Sequence, residues 1–446
     1  MVSMNLSLFL KKHSVAEGDH VCVQKGAAEF KGTIIPSSDD SVLVLKLDNG
    51  YNVGLELQNI SSVKHLAEGR RVSKAPLKPL QKNPALPSIL ILHTGGTIAS
   101  RVDYRTGAVS TSFEPADLVS MFPALAEIAN IRSRLLANMF SEDMRFAHYE
   151  LLCKEIEKEI QSDSSLKGII VTHGTDTLAY TSAALAFALQ HLPLPVILVG
   201  AQRSSDRPSS DASDNLLAAA LLITKTDFAG VGICMHETAN DGVCVLLPAC
   251  KTRKLHSSRR DAFKAVNAMP LARILVSNGS IEWLDLNYPK KSGLPLVVLP
   301  RFEEKVALVK VHPNFSSDQL SPFENYKGLV IEGTGLGQMP IGVPNDLSKP
   351  NKKNFDAIRK IISNGCIVVM TSQTVFGRVQ MHVYSGAVDL TALGVIPGED
   401  MLSETAFIKL AWLLGNFKDA EEIKRLMKTN LAGEISDFSH ASEAFL

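Results

Sequence analysis

The chain has 446 residues, of which 45% are hydrophobic and 21% charged, and its 46 lysines and arginines balance 46 aspartates and glutamates. That length supports two or three domains with a large core, and the neutral balance excludes bulk charge as the basis for binding a nucleic acid or a membrane surface. No apolar run approaches the roughly 18 residues of a membrane span, no basic segment precedes the short apolar stretch at the N-terminus as in a signal peptide, and the six cysteines, none paired as CxxC, read as reduced core thiols of a cytoplasmic protein.

Residues 1–78 form a distinct block of short strand candidates: Val21-Cys22-Val23, Gly32–Ile35, Val42–Leu47 and Asn52–Leu55. Asp48-Asn49-Gly50-Tyr51 joins the last two, and Asn-Gly between such runs is a strong hairpin signal. The block predicts a small SH3-like β-barrel. Pro76, Pro79, Pro84 and Pro87, interspersed with lysines, predict a semi-extended surface linker over 79–87. From 88 to 290 strands near 89–93, 168–172, 195–200, 230–235 and 243–247 alternate with helices near 114–121, 148–162, 178–191 and 211–224. That alternation predicts a mostly parallel sheet covered by helices. A smaller α/β domain is expected over 295–446. Its strands lie near 306–311, 328–332 and 366–370, and its helices near 353–364, 403–414 and 419–430.

Two buried strands end in threonine-rich turns: His93-Thr94-Gly95-Gly96-Thr97-Ile98-Ala99 and Thr172-His173-Gly174-Thr175-Asp176-Thr177. An open α/β sheet presents reactive groups at the carboxyl edge of its strands. Neither turn carries the glycine and lysine pattern of a phosphate loop. Taken singly, Thr97 can be a helix cap, and so can Thr175-Asp176. Together they supply two hydroxyls and a carboxylate, a set suited to attack on a carbonyl carbon. A threonine hydroxyl needs a base or a cation beside it, and backbone N–H groups at glycine turns can face an oxyanion. Cys250-Lys251-Thr252-Arg253-Lys254 offers the lysine. His93 and His173 lack a third ligand at zinc spacing, so no metal is expected there.

The two turns resemble the signature motifs of the bacterial-type L-asparaginase family, in the family's order, and the resemblance extends over roughly 88–430. It implies Thr97 as primary nucleophile, Tyr104 on a loop that closes over the substrate, and Thr175, Asp176 and Lys254 as a proton-handling triad. Lys251 is the alternative lysine for that triad. The resemblance further implies that Ser141 binds the amino-acid α-carboxylate, with Glu142, Gly96 and Gly174 completing the substrate site. An acyl-enzyme forms on Thr97 as ammonia leaves, with no cofactor or metal in this chain. Leu336, in Glu332-Gly333-Thr334-Gly335-Leu336-Gly337, stands where the asparaginases carry asparagine, which makes a glycine-rich structural turn the simpler expectation there.

Two features depart from a plain asparaginase: the N-terminal block, and the charged loop Gly200–Ala212. Both are similar to the D-subunit family of archaeal glutamyl-tRNA(Gln) amidotransferases. That similarity implies a glutaminase that passes ammonia to an E-type partner. The partner uses ATP and Mg, and Glu-tRNA(Gln) is bound mainly through it. It also implies a heterodimer, itself paired into a dimer of heterodimers, with ligase activity as a complex. A free-standing asparaginase or glutaminase and a catalytically silent binding protein with the same fold are the alternatives. Within the long loop, Asp206, Arg207 and Asp211 are expected to be solvated, as is the basic run Arg70, Arg71, Lys74, Lys78 and Lys82.

Overall fold

The computed structural model describes residues 5–35, 37, 39–47, 52–67, 83–96, 122–203 and 210–438, with the backbone of 101–102 and 109–110. The N-terminal unit is a five-stranded antiparallel sheet in the order Asn52–Glu56, Val42–Leu47, Ala28–Ile35, His20–Lys25, Ser62–Ala67. His20–Lys25 and Val42–Leu47 alternate buried and half-buried residues, the period-two pattern of strands with one covered face. Val42–Leu47 pairs with Asn52–Glu56 as a hairpin would, with Lys46 opposite Asn52, although the Asn-Gly turn itself lies outside the described residues. A helix over Leu6–Lys12 was not expected. Asn5 caps it by accepting from the Leu8 N–H at 2.9 Å, and Leu6 and Phe9 enter the core of the sheet.

The central sheet has eight strands. From one edge they are Ser280–Trp283, Ala272–Leu275, Val243–Pro248, Val231–His236, Val196–Val199, Leu166–Thr172, Ser88–Gly95 and Asn130–Met139. The five from Val231–His236 onward are parallel, and the three at the other edge are antiparallel hairpins. Ser88–Gly95 is buried at every position but its first, as a strand covered on both faces must be. Helices Phe146–Ser162 and Leu178–Ala188 cover one face and Ala212–Lys225 the other. The end of the linker is docked on the sheet: Asn130 Nδ2 donates to the carbonyls of Asn83 and Leu86 at 2.8 Å each. The carboxyl ends of the parallel strands thus line up along one edge at Gly95, Thr172, Val199 and His236.

Four parallel strands make the smaller sheet, in the order Val306–Lys310, Gly328–Gly333, Ile367–Ser372, Ile396–Pro397. Its helix Ser403–Asn416 packs back onto Leu178–Ala188, with the rings of Phe187 and Trp412 stacked at 5.6 Å. One apolar cluster therefore runs from the large sheet into the small one. The expected helix near 114–121 lies outside the described residues. The strand Asn130–Met139 and the helix Ser385–Leu393 were not anticipated. All six cysteines are free thiols, five of them buried, and no helix of the described residues is long and apolar enough to cross a membrane.

Candidate active site

The first threonine turn leaves the strand Ser88–Gly95 through two glycines in the left-handed region, Gly95 at φ +100° and Gly96 at φ +80°. A side chain is strained at such angles. Space excludes one as well, because a Cβ on Gly96 would sit 2.4 Å from the Cα of Gly174. The two turns therefore meet backbone to backbone. Gly96, which precedes Thr97 in the sequence, abuts Gly174, which precedes Thr175. A Cβ on Gly174 would in turn come within 2.7 Å of Ser141 Cβ, so Ser141 is brought to the same point. Thr97 and Tyr104 lie outside the described residues.

Hydrogen bonds between the strand ends hold this meeting in place. Thr94 Oγ1 donates to the Thr172 carbonyl at 2.9 Å, and the His93 imidazole lies 2.8 Å from Thr172 Oγ1 and 3.3 Å from Ser133 Oγ. His173 donates from Nδ1 to the Gly174 carbonyl at 2.7 Å, and its Nε2 lies 2.8 Å from Thr181 Oγ1. Both histidines have both ring nitrogens engaged. Burial pushes each down to about 4, so they are neutral spacers at physiological pH. Thr177 Oγ1 donates to the Ser141 carbonyl at 2.6 Å. The short helical turn Ser141–Asp143 is thereby tied to the second motif, with Ser141 buried and Glu142 exposed beside it.

Lys254 arrives on a two-stranded ribbon, Thr252–Lys254 against Phe263–Ala265, directly opposite the buried Phe263. Its Nζ donates to Thr175 Oγ1 at 2.8 Å and to Asp176 Oδ1 at 2.8 Å. The lysine side chain is 14% exposed and the aspartate 65%, so the trio opens to solvent on the carboxylate side. Lys251 does not reach it. That lysine is buried in an ion pair with Asp400 and donates to Ser436 Oγ at 2.8 Å. The smaller α/β unit grips the rest of the segment. Thr405 Oγ1 donates to the Cys250 carbonyl at 2.9 Å, and Arg253 pairs with the buried Glu404 at 3.3 Å. Burial raises the Glu404 carboxyl above its ordinary range, with the neighbouring Arg253 opposing.

Two expectations about the surrounding loops are settled by burial. Asp211 is fully buried instead of solvated: its carboxylate accepts from the N–H groups of Gln202, at 3.0 Å, and Arg203, at 3.1 Å, closing the base of the Gly200–Ala212 loop. Asp206 and Arg207 lie outside the described residues, as does the basic run of the linker. The Glu332–Gln338 segment is a tight turn, with the Thr334 N–H donating to the Gln338 carbonyl at 2.8 Å and Leu336 exposed. Sequence reasoning missed the Thr177–Ser141 link and the grip of Asp400, Glu404 and Thr405 on the lysine segment. Thr177 stood inside the motif already singled out, whereas the other three lie about 150 residues away and carried no signal.

Comparison with known proteins places the whole chain in a family. Residues 88–287 match the family "Asparaginase, N-terminal", 305–427 the "Glutaminase/Asparaginase C-terminal domain" and 15–66 the "GatD N-terminal domain". The D subunit of glutamyl-tRNA(Gln) amidotransferase from Pyrococcus abyssi is 43% identical over 98% of this chain and 98% of its own length. Its counterpart in Methanococcus maripaludis strain C5 is 45% identical over 94% of this chain and 98% of its own. The chain belongs to the D-subunit family of glutamyl-tRNA(Gln) amidotransferases. Among solved structures, the thermostable L-asparaginase from Thermococcus kodakarensis superposes with a TM-score of 0.69 at 28% identity, covering 78% of this chain and 99% of that one. L-asparaginase I from Vibrio cholerae gives 0.66 at 25% identity, covering 79% of this chain and 100% of its own. The D-subunit family thus joins an asparaginase body to an N-terminal antiparallel sheet.

Proposed function

We propose that this chain is the glutaminase component of a tRNA-dependent amidotransferase, releasing ammonia from glutamine for use by a partner protein. The observation that carries this reading is the trio in which Lys254 Nζ lies 2.8 Å from both Thr175 Oγ1 and Asp176 Oδ1, on a turn packed against the residue before Thr97. Thr97 Oγ1 attacks the side-chain amide carbon of glutamine. Its proton passes to the departing nitrogen, the C–N bond breaks, and ammonia leaves an ester on Thr97. Water then hydrolyses that ester to glutamate. Thr175 and Lys254 relay protons along their short contact, Asp176 fixes the lysine, and the backbone N–H groups of the glycine turns face the oxyanion. Ser141 and Glu142 take the amino-acid end of the substrate, and Tyr104 closes over it. The site works without a metal or cofactor.

Membership in the D-subunit family supports the partner: an E-type protein that uses ATP and Mg, activates the glutamyl group of Glu-tRNA(Gln) and accepts the ammonia, giving Gln-tRNA(Gln) in the cytoplasm. Two heterodimers pair through the asparaginase bodies. The test is ammonia release from glutamine and from asparagine by the purified chain, with and without partner and Glu-tRNA(Gln). Stimulation of glutamine hydrolysis by the complex is expected. Full-rate asparagine hydrolysis by the lone chain would instead make it a free-standing asparaginase.

A further inference from the structure

Two strands away from the threonine trio, at the same carboxyl edge of the sheet, His236 ends the strand Val231–His236. It is completely buried. Its Nδ1 lies 2.7 Å from Asn215 Oδ1, and the Asn215 amide nitrogen donates at 3.0 Å to the Gly200 carbonyl. The amide oxygen is therefore the acceptor, and the imidazole must carry its proton on Nδ1. In the neutral ring this leaves a lone pair on Nε2, and Nε2 has no hydrogen-bond partner among the described residues. What it faces is a pair of carboxylates: Asp214 Oδ2 at 3.7 Å, on the first turn of helix Ala212–Lys225, and Asp241, on the loop before Val243–Pro248.

An imidazole lone pair and two carboxylates brought this close repel one another unless a shared cation joins them. The carboxylates of Asp211, Asp214 and Asp241 and the guanidinium of Arg260 all act on His236. Arg260 holds Oδ1 of Asp241 and the Ala239 carbonyl, which leaves the second oxygen of Asp241 able to turn inward. Asp214 Oδ2 accepts an N–H from Gly242 at 2.8 Å and retains lone pairs.

We propose that Asp214, His236 and Asp241 bind one divalent transition-metal ion, with zinc the best fit. One candidate ligand atom from each lies within 4.8 Å of the others. A tetrahedral zinc site needs such atoms roughly 3.4 Å apart, a shift that the exposed Asp241 side chain can supply. One imidazole with two carboxylates suits zinc and disfavours magnesium, which prefers an all-oxygen shell. Asn215 supplies the hydrogen bond that fixes the ligating tautomer, as outer-shell partners of metal-bound histidines do. The ion is structural. It clamps the Glu237–Gly242 hairpin loop to the start of the helix whose Asp211 and Asn215 hold Gly200, Gln202 and Arg203. Gly200 lies against Thr175, where a Cβ would come within 2.8 Å of the threonine methyl. The clamp thus stiffens the wall behind the trio.

The test is calorimetric titration of the chelator-treated full chain with zinc chloride near pH 7.5, with cobalt(II) absorbance as a second readout. One equivalent should bind and raise the unfolding temperature. Asp214→Asn and Asp241→Asn, both near-isosteric changes, should each weaken binding tenfold or more and remove the tetrahedral cobalt bands. Absence of stoichiometric binding would overturn the proposal. So would equal affinity in the wild type and both variants, which would place the ion on other ligands.

Discussion

At the scale of single residues, the trio Thr175–Lys254–Asp176 separates chemistry from stability. Lys254 touches two polar atoms at the solvent-facing end of a ribbon, so removing it leaves the core intact. Lys254→Met is expected to lower glutamine hydrolysis by roughly 10³-fold while shifting the unfolding midpoint little. Steady-state ammonia release and a thermal melt on the same sample check both halves. The glycines behave in the opposite way. Gly96→Ala must place a Cβ 2.4 Å from the Gly174 backbone at φ +80° and should cost roughly 3 kcal/mol as well as activity. Gly174→Ala meets the Ser141 side chain at 2.7 Å, a neighbour with somewhat more freedom, and should cost less. Denaturant titration of the two variants orders them.

At the scale of elements, the strand ends are spaced by the neutral histidines His93 and His173, each held near a pKa of about 4 by burial. An unfolded histidine takes up its proton near 6.5. Between those values the unfolded chain binds more protons than the folded one, so stability is complete above about pH 6.5 and falls as pH drops toward 4. The loss is on the order of 3 kcal/mol per histidine. Equilibrium unfolding from pH 7 to 4.5 should show this slope, and His173→Gln should reduce it. A second element-scale link is the pair Lys409–Glu434, both fully buried at 2.6 Å, which ties helix Ser403–Asn416 to the C-terminal segment. Lys409→Met leaves the buried Glu434 carboxylate without its cation, held only by the Leu431 and Ala432 N–H groups, and should destabilise by about 3 kcal/mol. Adding Glu434→Leu removes the unpaired charge but also the acceptor for the Leu431 and Ala432 N–H groups, so it should recover only part of that loss, as a double-mutant cycle in denaturant will show.

The same scale explains what was legible. Strands buried on both faces, such as Ser88–Gly95 and Leu166–Thr172, announce themselves as unbroken apolar runs. Asn130–Met139 does not. As an edge strand it carries Arg132 and Arg134, which pair with Glu159 and Glu155 of the neighbouring helix, so its pattern is polar and its signal is lost. Thr175, Asp176 and Lys254 were legible because the resemblance to the family motifs points to them, and the structure brings the three together. The supports of Lys254 at Asp400, Glu404 and Thr405 were not. They belong to another sheet's connections, and a contact across such a separation leaves no local period.

At the scale of the molecule, the proposed function gives the asparaginase body and the N-terminal sheet separable roles. The body holds every residue proposed for ammonia release, and the five-stranded sheet is what the D-subunit family adds to it. Under the proposed function, ammonia is the wanted product and glutamate the by-product. The decisive measurement follows glutamine labelled at its amide nitrogen through the reconstituted complex of this chain with its E-type partner, ATP, Mg and Glu-tRNA(Gln). The label should appear in Gln-tRNA(Gln) with the wild-type chain. It should be absent with Lys254→Met, and free ammonium should restore product formation in that variant. Transfer of the label by Lys254→Met at the wild-type rate would contradict the account.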